Sequence, residues 1–140
     1  MQSIEVLLIE DNIYDAELAI RSLRKHRLAN EIIHIEDGEE ALDFIFERDK
    51  HANRKSGNPK LILLDLMLPK VNGLEILRQI KANELTASIP VVVLSSSELD
   101  PTLDACKKLG AVSYITKPLN LENLFKSVAD VGVYWLMVHD

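Results

Sequence analysis

Residues 61–65 have the sequence LILLD, in which four consecutive aliphatic residues precede a carboxylate, and this stretch decides the fold. A strand with one face in water alternates apolar and polar residues, whereas a strand covered on both faces is apolar throughout. The run therefore predicts a strand inside a parallel sheet, with helices packed on both sides. Three of the five strands that the sequence predicts are continuous in this way.

On both sides of this run, short apolar segments alternate with longer segments of helical periodicity. Strands are predicted at residues 4–9, 32–35, 61–64, 90–94 and 112–116. Helices are predicted at residues 13–27, 39–48, 73–83 and 100–109, and a last helix runs from about 121 into the 134–135 region. Strands that alternate regularly with helices are typical of an α/β, doubly wound fold with a parallel sheet.

The composition predicts one globular domain. The chain has 140 residues, and 16 basic against 22 acidic residues give a net charge of −6. Such an acidic balance disfavours nonspecific binding to nucleic acid or to an anionic membrane. The single cysteine, Cys106, excludes a disulfide within the chain, and no apolar run approaches the roughly 20 residues of a bilayer span. We expect a cytoplasmic protein.

Polar side chains follow four of the predicted strands. Glu10 and Asp11 follow the first strand, Asp65 the third, Ser95 the fourth and Lys117 the fifth. The carboxyl ends of parallel strands lie at one edge of a sheet, where ligands bind. Three carboxylates so close would repel, and Mg²⁺ relieves this because it takes carboxylate, water and phosphate oxygens. Each residue singly has an ordinary explanation as a cap or turn residue, but together they predict phosphate chemistry with a metal.

The set resembles the receiver domain of two-component response regulators. The matching residues are Glu10-Asp11, the stretch DLMLP at 65–69 with Gly73, Ser95 after strand 90–94, and Lys117-Pro118. The intervals between Asp65, Ser95 and Lys117 also agree with the family pattern, and the similarity extends from about Val6 to the last helix. The resemblance implies a flavodoxin-like (βα)₅ fold and a phosphoacceptor signalling domain rather than an enzyme.

The resemblance also implies a role for each matching residue. Asp65 would accept the phosphoryl group, and Lys117 would pair with Asp65 at rest and with the phosphoryl group later. Glu10 and Asp11 would hold Mg²⁺, or Mn²⁺ in its place, together with Asp65 and the backbone carbonyl of Met67. Ser95 would move toward a phosphoryl oxygen. Tyr114 matches the aromatic position that rotates inward with Ser95, although an ordinary core aromatic with its hydroxyl at the surface explains it equally well.

A narrower resemblance concerns the partners. The 51–59 loop and the aromatic stretch at 134–136 are similar to those of stand-alone receivers that serve bacterial and cyanobacterial phytochrome histidine kinases. The expected partner is therefore a sensor histidine kinase, with a phytochrome as one candidate. We expect residues 1–140 to be a single receiver domain without a separate output domain, so that it signals through its own surface.

The last predicted helix carries more apolar surface than one small domain can cover. One face of it begins polar with Lys126 and Asp130 and becomes apolar at Val133, Tyr134 and Met137. A helix that is apolar on more than one side is buried on more than one side. We therefore expect a homodimer or a partner contact through Val133, Tyr134 and Met137, with fraying of the terminal turn or its packing on the same domain as the alternative.

Three other classes of protein share parts of this pattern. A pseudo-receiver that is never phosphorylated would keep the fold but not need the intact acid set. A phosphatase of the haloacid-dehalogenase type also uses an aspartate nucleophile after a strand, but it needs a second acid where this chain has Met67. A flavodoxin-like cofactor binder would need a phosphate-cradling loop after the first strand, where Glu10, Asp11 and Asn12 instead repel phosphate unless a metal is bound.

Overall fold

A computed structural model describes residues 6–25, 31–52, 57–96, 101–117 and 119–130. The strands are β1 (Val6–Ile9), β2 (Ile32–Ile35), β3 (Leu61–Asp65), β4 (Val91–Ser95) and β5 (Ser113–Thr116). The helices are α1 (Ile13–Lys25), α2 (Gly38–Ile45), α3 (Gly73–Ala82), α4 (Thr102–Leu109) and α5 (Leu121–Asp130), with a short 3₁₀ helix at Asp49–His51. Within these residues the five strands form one parallel sheet in the order β2-β1-β3-β4-β5, which confirms the predicted fold class.

Both faces of the sheet are buried, as the continuous apolar strands predict. Alternate residues of β3 point to opposite sides: Ile62 and Leu64 pack with the apolar residues of α2, α3 and α4. Leu61 and Leu63 pack on the other side with Ala16 of α1 and with α5. Every residue of β1, β3 and β4 is buried, and this burial brings the three strand ends to fixed positions.

The helix boundaries correct the sequence interpretation at two points. Helix α2 ends at Ile45 instead of residue 48, because Glu47 and Asp49 have left-handed backbones with φ of 54° and 50° that no helix can include. Helix α4 begins at Thr102, and Pro101 is its N-cap residue rather than a member of its first turn. Gly110 ends α4 as predicted, with the φ of 106° that favours glycine.

The last helix is described as far as Asp130, so its predicted continuation into the 134–135 region lies outside the described residues. Among the α5 residues whose side chains are described, Leu124 is fully buried against α1 and the sheet. Among the described helices, none has the combination of length and apolarity that a bilayer crossing requires.

Candidate functional site

The strand order brings the sequence-predicted residues together at the carboxyl edge of the sheet. Strand β3 lies between β1 and β4, and β4 lies between β3 and β5, so the ends of β1, β3, β4 and β5 are neighbours. Glu10 follows β1 directly, Asp65 is the last residue of β3 and Ser95 is the last residue of β4. Lys117 follows β5, and its backbone N–H donates to the carbonyl of Ser95 over 2.6 Å.

Three carboxylates converge at this edge. Oxygen atoms of Glu10, Asp11 and Asp65 lie within 4.8 Å of one another. Glu10 and Asp65 are buried, whereas Asp11 is exposed to solvent. The site therefore has two buried carboxylates, and Asp11 is the member of the three that solvent reaches.

The ammonium group of Lys117 lies among the acids. Its Nζ is 3.0 Å from Glu10 Oε1 and 3.2 Å from Asp65 Oδ2, and also 3.2 Å from Asp15 Oδ2 on helix α1. Burial disfavours the charged lysine, but hydrogen bonds and attraction from Glu10, Asp65 and Asp15 outweigh it and raise the pKa of Lys117. The lysine consequently stays protonated at physiological pH and supplies one fixed positive charge.

Glu10 is the group for which this arrangement is least favourable. Burial, followed by a hydrogen bond and repulsion from Asp65, raises the pKa of Glu10 to about 8, even though Lys117 opposes the shift. Its Oε1 is buried and accepts no hydrogen bond from the described residues, although Lys117 Nζ lies 3.0 Å away. A buried carboxylate oxygen that is balanced only by an ion pair, in a set of three oxygen ligands, fits a hard divalent cation such as Mg²⁺.

We expect stabilisation by Mg²⁺ to increase with pH. The pKa of Glu10 is raised from 4.5 to about 8 in the folded protein. Ionising Glu10 therefore destabilises the folded state, and this destabilisation is absent below pH 4.5, grows between the two pKa values and is complete above about pH 8. The metal needs the ionised form, so at about pH 6 it must displace a proton and at about pH 9 it need not. The melting temperature should therefore gain more from Mg²⁺ at the higher pH.

Scanning fluorimetry with and without Mg²⁺ at the two pH values measures this difference. Glu10→Gln, which cannot titrate, is the control and should show the same gain at both pH values. Equal gains for the natural protein would contradict the assignment of the proton to the Glu10 site.

The backbone around the acids is fixed by local hydrogen bonds. Asn12 is the N-cap of α1, because its Oδ1 accepts from the N–H groups of Tyr14 and Asp15 over 2.9 and 3.1 Å. The N–H of Asn12 itself donates to Glu10 Oε2 over 3.2 Å. On the other side of the site, the N–H of Met67 donates to Asp65 Oδ1 over 3.1 Å, so the chain turns back over the phosphoacceptor candidate.

The Met67, Ser95 and Tyr114 side chains take different positions. The Met67 side chain is 70% exposed, so it does not fill the site. Ser95 is buried beside Asp65 at the end of the neighbouring strand. Tyr114 is half-buried against the core, and Lys107 Nζ lies 5.0 Å from its ring centroid. Tyr114 is thus a partly buried aromatic packed against the core, and it lies on β5, the strand next to β4, which ends at Ser95.

The sequence interpretation missed two residues of the site. Asp15 contacts Lys117, but an acid in the first turn of a helix is also expected simply because it complements the helix dipole. His34 Nε2 lies 2.8 Å from the backbone carbonyl of Glu10, while the N–H of Glu10 donates to the carbonyl of Ile35 over 3.0 Å. Residues of β2 therefore hold both the N–H and the carbonyl of Glu10, and no local pattern in the sequence indicates these contacts.

The proposed interface residues Val133, Tyr134 and Met137 lie outside the described residues, and the dimer stays a prediction.

Comparison with protein families gives a match over most of the chain. Residues 6–129 match the response regulator receiver domain. The probable methanogenesis regulatory protein FilR2 of Methanothrix harundinacea is 39% identical over 131 residues, which are 94% of this chain and 83% of that protein. The response regulator Rcp1 of Synechocystis sp. is 39% identical over 131 residues, 94% of this chain and 88% of that protein.

Solved structures with the same fold include regulators of phytochromes. The bacteriophytochrome response regulator RtBRR has a TM-score of 0.87 at 40% identity, over 96% of this chain and 81% of its own. The Mn²⁺-bound form of Rcp1 has a TM-score of 0.80 at 38% identity, over 95% and 94%. The phosphorylated cyanobacterial phytochrome response regulator RcpA has a TM-score of 0.81 at 36% identity, over 99% and 97%.

Proposed function

Because this chain belongs to the response regulator receiver family, we propose that it accepts a phosphoryl group on Asp65 from a partner histidine kinase, with Mg²⁺ bound beside that residue. The observation that supports this most strongly is the buried carboxylate of Asp65 between Lys117, 3.2 Å away, and two further acids. Phosphoryl transfer depends on positioning and on neutralising charge, and this site provides both.

The residues of this chain divide the chemistry among them. A carboxylate oxygen of Asp65 forms the new bond to phosphorus while the bond between phosphorus and the donor breaks. Glu10, Asp11 and Asp65, with the backbone carbonyl of Met67, would hold Mg²⁺ or Mn²⁺, which supplies positive charge to the phosphoryl oxygens when bound. Lys117 carries the second positive charge, and its short contact to Asp65 leaves it next to the incoming group.

Ser95 and Tyr114 would carry the signal away from the site. The Ser95 hydroxyl is a donor that can turn to a phosphoryl oxygen, because phosphorylation adds strong acceptor oxygens next to it. Tyr114 stands on the adjacent strand β5, where it can follow a shift of Ser95. The proposal makes the chain a signalling domain whose own surface is the output, in the cytoplasm.

Acetyl phosphate, a small donor that needs no kinase, tests the proposal directly. Intact-mass analysis should show one added phosphoryl group with Mg²⁺ and none in EDTA. An unmodified protein under both conditions would support the pseudo-receiver alternative. Turnover of a phosphate ester would support the phosphatase alternative, which the exposed Met67 in place of a second acid disfavours.

The kinase partner is proposed to be a phytochrome-type histidine kinase. Support comes from the relatives named as phytochrome regulators, which match this chain over nearly its whole length. Transfer from a phosphorylated phytochrome kinase should be faster than transfer from an unrelated histidine kinase at equal concentrations. Equal rates from both donors would remove this part of the proposal and leave the receiver function intact.

We expect this chain to form a homodimer through its C-terminal segment. In the sequence, Val133, Tyr134 and Met137 follow Lys126 and Asp130 at helical spacing, and one small domain cannot cover the apolar surface that this pattern predicts. Sedimentation velocity at micromolar concentration should show a dimer, and Met137→Glu should dissociate it by placing a charge in the interface. Lys126→Glu, a charge change at an exposed position of α5, is the control. A monomer in both phosphorylation states would refute the dimer.

A further inference from the structure

Among the described residues, Lys117 contacts three carboxylates, and these fall into two kinds. Glu10 and Asp65 belong to the cluster that could hold a metal ion, whereas Asp15 does not. The Asp15 contact is as close as the Asp65 contact, 3.2 Å in each case. Asp15 is also half-buried, with 23% of its side chain exposed, so water only partly screens the pair.

The lysine and a divalent cation compete for the same oxygens. Lys117 Nζ lies 3.0 Å from Glu10 Oε1 and donates a hydrogen bond of 3.2 Å to Asp65 Oδ2. A cation entering between Glu10, Asp11 and Asp65 would bring two positive charges against this ammonium. For the ion to bind, Lys117 has to leave those two carboxylates or share them at a cost.

The hydrogen bonds at the start of α1 leave the Asp15 carboxylate available to pair with Lys117. Asp15 is the third residue of α1, where an acid often reaches back to the N–H of the N-cap residue. Here that N–H, on Asn12, already donates to Glu10 Oε2 over 3.2 Å. The side chain of Asp15 is therefore turned to Lys117 instead, at the rim of the acidic cluster.

We propose that Asp15 is a positioning residue that receives the Lys117 ammonium when a divalent cation enters the Glu10–Asp11–Asp65 cluster. The inference rests on the proposed metal-assisted function and adds a specific part to it. Asp15 holds the ammonium off the Glu10 and Asp65 oxygens that the ion would take, while keeping it close enough to reach the incoming phosphoryl group, so that both positive charges are in place before phosphoryl transfer. Without Asp15, the ammonium stays on Glu10 and Asp65 and opposes the ion.

The Mn²⁺ affinity of the protein tests the role of Asp15 without any phosphorylation step. It is measured by electron paramagnetic resonance, because the signal of free Mn²⁺ decreases as the ion binds. Asp15→Asn should weaken Mn²⁺ binding on the order of tenfold, as the removal of a residue that orients a metal site commonly does. Asp15→Glu keeps the carboxylate and should restore most of the affinity. Glu17→Gln removes the same charge from an exposed position of α1 and should have little effect.

A double-mutant cycle separates the proposed role from a simple charge effect. With Lys117→Met there is no ammonium to receive, so adding Asp15→Asn should change the Mn²⁺ affinity far less than it does in the natural protein. An equal loss in both backgrounds, or no loss in the natural protein, would overturn the inference. If the natural protein itself failed to bind Mn²⁺, the proposed metal site would be wrong and the inference would fall with it.

Discussion

Asp65→Asn is expected to abolish phosphorylation by acetyl phosphate while leaving the protein folded. An amide oxygen is a far weaker nucleophile than a carboxylate, and the change also removes a negative ligand for the metal. The shape of the side chain is kept. Repulsion from Asp65 is one of the causes that raise the pKa of Glu10, so the variant also loses an unfavourable interaction in the core.

Intact-mass analysis gives the readout, with thermal unfolding as the check on folding. The control is Asp104→Asn, the same change in the exposed first turn of α4, which should be phosphorylated like the natural protein. Phosphorylation of Asp65→Asn to the natural level would place the phosphoryl group on another residue.

Gly73→Ala is expected to cause a large loss of stability, because the added methyl group would collide with the backbone that leaves β3. A Cβ at Gly73 would lie 2.4 Å from the carbonyl oxygen of Asp65 and 2.7 Å from the Cα of Leu66. Both atoms belong to the backbone that leaves β3, so no side chain can swing aside. Overpacking of this kind costs roughly 2–3 kcal/mol, whereas alanine in an open helical position stabilises relative to glycine by about 0.5–1 kcal/mol.

Urea unfolding measures the loss, and the same shift should weaken Mn²⁺ binding because it moves Asp65. The control is Asn72→Ala, which removes the hydrogen bond from Glu75 N–H to the N-cap side chain of α3 without crowding β3. That loss should cost only about 1 kcal/mol. A stabilised Gly73→Ala protein would mean that α3 starts farther from β3 than described.

The sequence predicted the sheet and the residues at its edge correctly because burial on both faces leaves a strong local record. Residues 61–64 and 90–94 are continuous apolar runs, and each ends at the polar residue that the structure places at the site. The predicted end of α2 was wrong by three residues, because a glutamate gives no sequence signal that its backbone will be left-handed, as it is at Glu47. The roles of Asp65, Ser95 and Tyr114 in signalling remain proposals.

By itself, then, the sequence determined which segments are strands and which polar side chains stand at their ends. Tertiary structure alone decided which of those side chains meet. Lys117 is 107 residues from Glu10 along the chain, and His34 is 24 residues from it, so their contacts depend on the order of strands and not on any local pattern. For the same reason the raised pKa of Glu10 and the pairing of Asp15 with Lys117 could not be predicted. Both depend on distances of a few ångströms between charges, which exist only after the helices and the sheet have packed.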